Sequence, residues 1–430
     1  MAADSLTQPA LQALELAMAA GAESARAALS RTREIETQGR DGTIETMKES
    51  ASRALSIELF VAGRYSSHRT TSLAPDRLRA FIDEAVAQTR ALAADPDRAL
   101  TDPSLMGPSE APDLGIFDPA VEAVQPADRR AIIEQLDAIL RADGDVISAA
   151  TYVGTTLAET ALVSTNGLDV MERGTQLWVG ADATLRDGPD KRPEGSWYVG
   201  VRHRADLPAL ADIGAAALQE ARRRLGSTKG PSGKTTLVLD PRTASRLVQR
   251  LLGSMNAQAV YQGRSAFAGK VGHALFSKTL TITDEPWRPR GLGSRRFDDE
   301  GITAVPRRIV HEGRLEQLFV DTYYGKKTGL AVTGASQSNL VVAPGEALDL
   351  LGLVGRVKTG IYVSDWLGGN ADGTSGDFSY GLRGHLIEGG ELGASVGEMN
   401  VTGNFITLFA QLAAVGNDPW PYRAAQVPSM

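Results

Sequence analysis

Apolar positions recur along the chain with two different periods, and the switches between them mark the elements. Leu11, Leu14, Ala17 and Met18 keep helical spacing after Pro9, and Gly21 is a fitting stop. Residues 25–35 read as a strand. Leu55, Ile57, Leu59 and Val61 alternate with Ser56, Glu58 and Phe60, which predicts a second strand, with 66–72 as a polar continuation. Leu78, Phe81, Ile82, Ala85, Val86 and Leu92 then form an amphipathic helical stripe, with Pro75 near its first turn. Residues 95–119 are rich in Pro and Asp and lack any period, as in a linker or long surface loop. Ile132, Ile133, Leu136, Ile139 and Leu140 make another helix stripe. Residues 146–204 read as an antiparallel meander with turns at Asn166-Gly167 and at 187–190. A helix over 208–225 ends at Gly226.

The run GSTKGPSG, 226–233, is the best domain boundary. A strand over 235–240 follows, and Pro241 opens a helix carrying Leu247, Val248, Leu251, Leu252 and Met255. From residue 279 onward short strands and turns dominate. The expected class is therefore α+β: an N-terminal part with an antiparallel sheet and amphipathic helices, then a C-terminal β-rich domain of short strands with one preceding helix. The expected divisions are an N-terminal domain over 1–94, a linker over 95–119, a middle region over 120–226 and a C-terminal domain over 227–430. A chain of 430 residues is long for one core, which agrees with that division.

Composition excludes several chemistries. The formal charge is −7, and Arg222-Arg223-Arg224 is the sole basic run, placed at a helix end where cations suit the dipole. No nucleic-acid footprint is expected. There is no Cys, so disulfides, thiolate zinc sites and a Cys nucleophile are excluded. No apolar run approaches the roughly 20 residues that span a bilayer. The small apolar residues 17–22 lack a basic flank and Glu15 interrupts the run, so a cytoplasmic, membrane-free protein is expected.

Motif tests are mostly negative. Gly233-Lys234-Thr235 mimics a phosphate loop, but Thr228 stands where the first glycine belongs, and the loop precedes a strand. His311-Glu312 mimics a helical zinc motif, yet Leu315 and Glu316 occupy the positions for a second His, and 310–318 read as a hairpin through Glu312-Gly313. The five histidines, His68, His203, His273, His311 and His385, lie in separate elements. Gly373-Thr374-Ser375-Gly376-Asp377 fails the nucleophile-elbow pattern at its last position. Asp365, Asp372, Asp377 and Asn370 are oxygen ligands without the spacing of a calcium loop.

The most distinctive stretch is 359–404. A strand through Ile361 and Val363 leads into a glycine-rich loop over 368–377, then two short strands over 378–388 and 391–399 joined by Gly389-Gly390. Asn370, Asp372, Ser375, Gly376 and Asp377 are the candidate peptide-binding or chamber-lining residues of that loop. The competing reading is that Ser375 and Asp377 only cap turns.

This stretch resembles the C-terminal domain of the TldD/PmbA (TldE) family. The matching pieces are Thr359-Gly360, residues 374–379, Gly381, residues 388–391, Gly403-Asn404, Val415-Gly416-Asn417-Asp418 and Phe297-Asp298-Asp299-Glu300-Gly301. The TldD branch carries H-E-x-x-x-H on the helix before a segment like 265–272, and a Cys near its C-terminus. Here 241–272 contains no His, Asp, Glu or Cys. The resemblance thus points to the PmbA/TldE branch, without catalytic, cofactor or metal residues of its own. It implies a metal-free subunit that joins a TldD-like metallopeptidase partner, the metal lying in that partner. Such a complex cleaves unstructured peptides, among them leader peptides of modified natural products, inside a closed chamber. The family has also been labelled a modulator of DNA gyrase, for which the acidic composition gives no support. The alternatives are a non-enzymatic peptide-binding or scaffolding homodimer, and a stand-alone hydrolase. An extended peptide would pair with strand edges near 360–363 and 381–388 under the 368–377 loop.

Overall fold

The computed structural model describes residues 6–107 and 111–430; the parts of the expected N-terminal domain and linker at 1–5 and 108–110 lie outside these. The first half is built on β1 (Ser24–Arg40), β2 (Thr43–Val61), β3 (Arg64–Thr70), β4 (Val146–Ser164), β5 (Asp169–Leu185) and β6 (Glu194–Val201). They form one antiparallel sheet in the order β3-β2-β1-β4-β5-β6. Helices α1 (Thr7–Ala19), α2 (Pro75–Arg90), α3 (Pro119–Glu122), α4 (Pro126–Arg141) and α5 (Leu210–Arg222) accompany it.

The apolar stripes of α1 and α2 close on Ala27, Leu29, Leu55, Ile57 and Val163. Those of α4 and α5 close on Ala149, Val153, Val179 and Val199. Ala149, Val153, Ala161 and Val163 share parity along an unbroken register of β4. Side chains alternate faces at every residue, so both helix pairs cover the same face. On the other face Tyr198 and Trp178 lie over Gly180 and Gly200, where a Cβ would come within 2.2 and 2.6 Å of the rings.

The second half contains β7 (Thr228–Lys229), β8 (Thr236–Leu239), α6 (Pro241–Leu252), α7 (Ala257–Tyr261), β9 (Ile282–Asp284), β10 (Arg307–His311), β11 (Arg314–Leu315), α8 (Thr322–Thr328), β12 (Leu340–Val342), α9 (Leu350–Val354), β13 (Thr359–Ala371), β14 (Asp377–Glu388), β15 (Glu391–Asn404) and α10 (Phe405–Ala410). Two sheets, β7-β15-β14-β13-β8 and β11-β10-β9-β12, share one core with α6. The peptide-pairing edges expected near 360–363 and 381–388 are not edges: β13 there pairs with both β8 and β14, and β14 with both β13 and β15, so their backbone groups are already taken up in the ladder. Leu247, Val248, Leu251 and Leu252 of α6 pack among Ile309, Val310, Ile361 and Val363 of the two sheets.

The α+β class holds, with two refinements. Four short helices, α7 to α10, punctuate the C-terminal half, and β13, β14 and β15 run for 13, 12 and 14 residues. The strand expected at 25–35 extends to Arg40, and its partner begins already at Thr43. The hairpin predicted through Glu312-Gly313 forms, with His311 opposite Arg314.

Several groups of contacts fasten the two halves, among them the following. In the segment after α2, the Arg98 guanidinium sits over Tyr65 at 4.3 Å and over Tyr323 at 3.5 Å, one ring from each half. Thr101 donates to the carbonyl of Glu300 at 3.0 Å. On the other side, Arg242 at the start of α6 donates to Asp240 at 2.9 Å and reaches Glu220 of α5 at 3.2 Å. Glu220 also accepts from Arg223 at 2.8 Å, and Asp240 accepts from the Tyr362 hydroxyl at 3.2 Å.

Candidate functional site

A cleft of about 600 Å³ opens between the C-terminal end of α6 and the tip of the β13–β14 hairpin. α6 exists because Asp240 caps it, Pro241 fixes its first turn and its apolar stripe is buried. Its outward positions at the far end, Gln249 and Arg250, face the cleft with Ser254, Asn256, Gln258 and Arg264. The opposite wall is Asp372, Gly373, Thr374 and Gly376, with Phe405 at the base.

The hairpin tip is more tightly built than a glycine-rich loop. β13 continues through the expected loop to Ala371, with Gly369 opposite Tyr380 and Asn370 opposite Ser379. The turn itself is confined to 372–376. The Asp372 amide donates to the Asp377 carbonyl at 2.8 Å, and the Gly376 amide donates to the Asp372 carbonyl at 2.8 Å. The Thr374 amide donates to the Asp372 carboxylate at 2.7 Å. Gly376 needs its glycine, because φ is +85° and a Cβ would meet Asn404 at 3.2 Å. Gly373 lies against the other wall: its carbonyl accepts from the Ala266 amide at 3.0 Å.

The five candidate residues therefore separate. Asp372 and Gly376 line the cleft. Asn370 sits in the ladder of β13, exposed. Ser375 and Asp377 are engaged locally: the Ser375 hydroxyl accepts from the Asp377 amide at 3.2 Å. The Asn404 amide group donates to the Ser375 carbonyl at 2.8 Å and to the Asp377 carboxylate at 2.9 Å. Side-chain hydrogen bonding to the carboxyl itself, from Asn404 first and then Ser375, holds Asp377 below the usual aspartate value. Asn404 also caps α10, accepting from the amides of Ile406 and Thr407 at 3.0 and 3.3 Å.

Sequence reading missed Gln249, Arg250, Asn256, Gln258 and Arg264. The usable signal was positional: Gln249 and Arg250 lie on the helix opened by Pro241, and Asn256, Gln258 and Arg264 on the segment that follows it. As a metal site the cleft does not fit. Its lining offers one carboxylate, Asp372, beside two guanidiniums, Arg250 and Arg264, whereas a catalytic zinc needs about three His, Cys or carboxylate ligands. Among the described residues no group of three or more such side chains is placed to hold a metal ion. His311 lies in β10, and His385 in β14 stacks on Tyr362 at 5.9 Å, neither lining the cleft. No helix among the described residues is long and apolar enough to cross a membrane.

A two-sheet C-terminal core packed on the capped helix α6, attached to a six-stranded sheet with helices on one face, defines the class. Residues 232–430 match the PmbA/TldA metallopeptidase C-terminal domain and residues 119–225 match its central domain. The chain belongs to the PmbA/TldD metallopeptidase family. It is 27% identical over 415 residues to "Metalloprotease PmbA" of Escherichia coli O157:H7, covering 94% of this chain and 90% of that protein. A "Metalloprotease PmbA homolog" of Haemophilus influenzae is 24% identical over 418 residues, covering 96% and 91%. A Bacteroides thetaiotaomicron crystal structure, described as a candidate modulator of DNA gyrase, superposes with a TM-score of 0.94 at 35% identity over 100% of this chain and 98% of that one. TldE of Thermococcus kodakarensis shares the fold, with a TM-score of 0.87 at 19% identity over 98% of each chain.

Proposed function

We propose that this chain is a metal-free, non-catalytic subunit of a TldD-type metallopeptidase, shaping a chamber in which a partner's metal cleaves unstructured peptides in the cytoplasm. The observation that carries the reading is the lining of the cleft at α6. The helix is intact, but Gln249, Arg250, Asn256, Gln258 and Arg264 offer a cleft wall without the ligands a zinc hydrolase requires. A polar, partly cationic wall suits contacts to peptide carbonyls and carboxylates. The second reading, a hydrolase acting with its own metal, is favoured by the name metalloprotease given to the relatives.

Reconstitution separates the two. The isolated chain is expected to leave an unfolded polypeptide intact, and addition of a TldD-like protein from the same host is expected to start chelator-sensitive cleavage. Cleavage by the isolated chain at a rate the partner does not change would refute the proposal. If no TldD-like protein binds it, the homodimeric peptide-binding reading takes its place.

A further inference from the structure

A different cavity, of about 370 Å³, lies where the β5–β6 turn, the 226–229 connection and the C-terminal sheet meet. That volume falls within the range of small-molecule sites, roughly 300–1,000 Å³. Its lining is strongly cationic. Lys191, Arg192 and Arg224 come from the first half, Lys229 from the connection and Arg383 from β14, with Asp187 and Glu194 as the acids among the lining residues.

Most local bonds leave this excess in place. Asp187 accepts from the Gly226 amide at 2.9 Å, and Lys191 and Arg192 donate to backbone carbonyls, which carry no net charge. Arg224 is pinned between the Glu194 carbonyl and Asp365, the latter at 3.4 Å. Arg383 is half-buried, and no acid among the described residues pairs with it; the same holds for the exposed Lys229. A half-buried guanidinium without an anion is costly to leave unpaired. Two further polar atoms at the same wall, Arg224 Nε and His385 Nδ1, are buried without a hydrogen-bond partner. Cations gathered in a partly enclosed space concentrate anions, and several together favour a multiply charged one over a single carboxylate.

We propose that this cavity binds a small phosphate-bearing anion, held between Arg192 of the first half and Lys229 and Arg383 of the second. The inference does not depend on the peptidase reading. An anion bridging the halves stabilises their apposition, because only the folded arrangement binds it.

The test uses the full chain and pyrophosphate as probe, by calorimetric titration and thermal melting at constant ionic strength. Saturable one-to-one binding and a raised melting temperature are expected. Lys229→Ala and Arg383→Gln are each expected to weaken binding about tenfold, the scale of one lost charge-assisted hydrogen bond. Lys229 lies in an exposed two-residue strand, so its variant remains informative even if Arg383→Gln folds poorly. Arg53→Ala, at an exposed position in the middle of β2, serves as control and should bind as the parent does. Absence of saturable binding, or equal binding by the parent and the Lys229→Ala variant, would overturn the proposal. Citrate binding as tightly as pyrophosphate would overturn the phosphate assignment.

Discussion

Replacing Arg242 by Met tests whether the charge network between α5 and α6 holds the two halves together. The guanidinium donates to Asp240 Oδ1 at 2.9 Å and Oδ2 at 3.2 Å, reaches Glu220 Oε2 at 3.2 Å and covers the Trp197 ring at 4.3 Å. Glu220 is 2% exposed. Met keeps much of the apolar stem, so the substitution removes mainly the charge. Stripping one member from a buried ion pair costs about 3–5 kcal/mol, because the other is left charged and dry. Here Glu220 keeps Arg223, and Asp240 keeps the Tyr362 hydroxyl and the backbone amide of residue 242 at 2.8 Å. The expected loss is therefore at the lower end, about 3 kcal/mol. For a unit of this size that lowers the melting temperature by roughly 6–12 °C. Scanning calorimetry measures the shift, and urea titration followed by tryptophan fluorescence reports it locally, since Trp197 and Trp420 flank Arg242. Combining Glu220→Gln with Arg242→Met removes both charges, so the double variant should be more stable than Arg242→Met alone. A shift under about 2 °C for the single variant would mean the network is solvated and weak, against the reasoning. Simple addition of the two single effects in the double variant would count against it equally.

The hairpin tip gives a second prediction. Gly376→Val forces a β-branched residue to φ +85° and should cost roughly 1–3 kcal/mol, read as a lowered denaturation midpoint. Asp377→Ala should destabilise at neutral pH, and by less as the medium is acidified. The Asp377 carboxyl titrates below its ordinary value, so its contribution is present above that value and fades as pH falls through the folded one. A gap between parent and Asp377→Ala that widens on acidification would contradict this. Should both variants in complex with a partner cleave peptide normally, the tip is a structural turn and substrate contacts lie elsewhere. Elemental analysis of untagged protein prepared without chelator should find no stoichiometric zinc; about one zinc per chain, lost on mutating His273, His311 or His385, would remove the basis for a metal-free subunit.

Burial decided which elements were legible. Leu55 to Val61 alternate because one face meets α1 and α2, and that half of β2 was readable. Residues 43–53 of the same strand are exposed on nearly all positions, so no period marks them, although their backbone pairs with β1 on either side of one irregularity at Gln38–Gly39. The glycines at 368 and 369 concealed the end of β13 for a related reason. The register shifts between Trp366 and Gly368, and both glycines have positive φ, so the ladder continues through an irregularity that has no side-chain signature. The four short helices escaped because each is seven residues or fewer, too brief for a period to repeat.

The cleft was harder to read than the fold because different faces of one helix carry the two. α6 buries Leu247, Val248, Leu251 and Leu252 against the sheets, and those positions hold the helix in place. Gln249 and Arg250 point the other way, into the cleft, where they contribute nothing to that packing. Side chains on the outer face can change from metal ligands to amides and guanidiniums while the buried stripe is untouched, so the architecture persists across such a change. The opposite wall follows the same logic. Ser375, Asp377 and Asn404 hold one another and shape the turn, leaving Asp372 and the backbone of 373–374 to face the space. What this cleft can do is therefore set by its outward residues, and at α6 these are an amide and a guanidinium, whose chemistry differs from that of metal ligands.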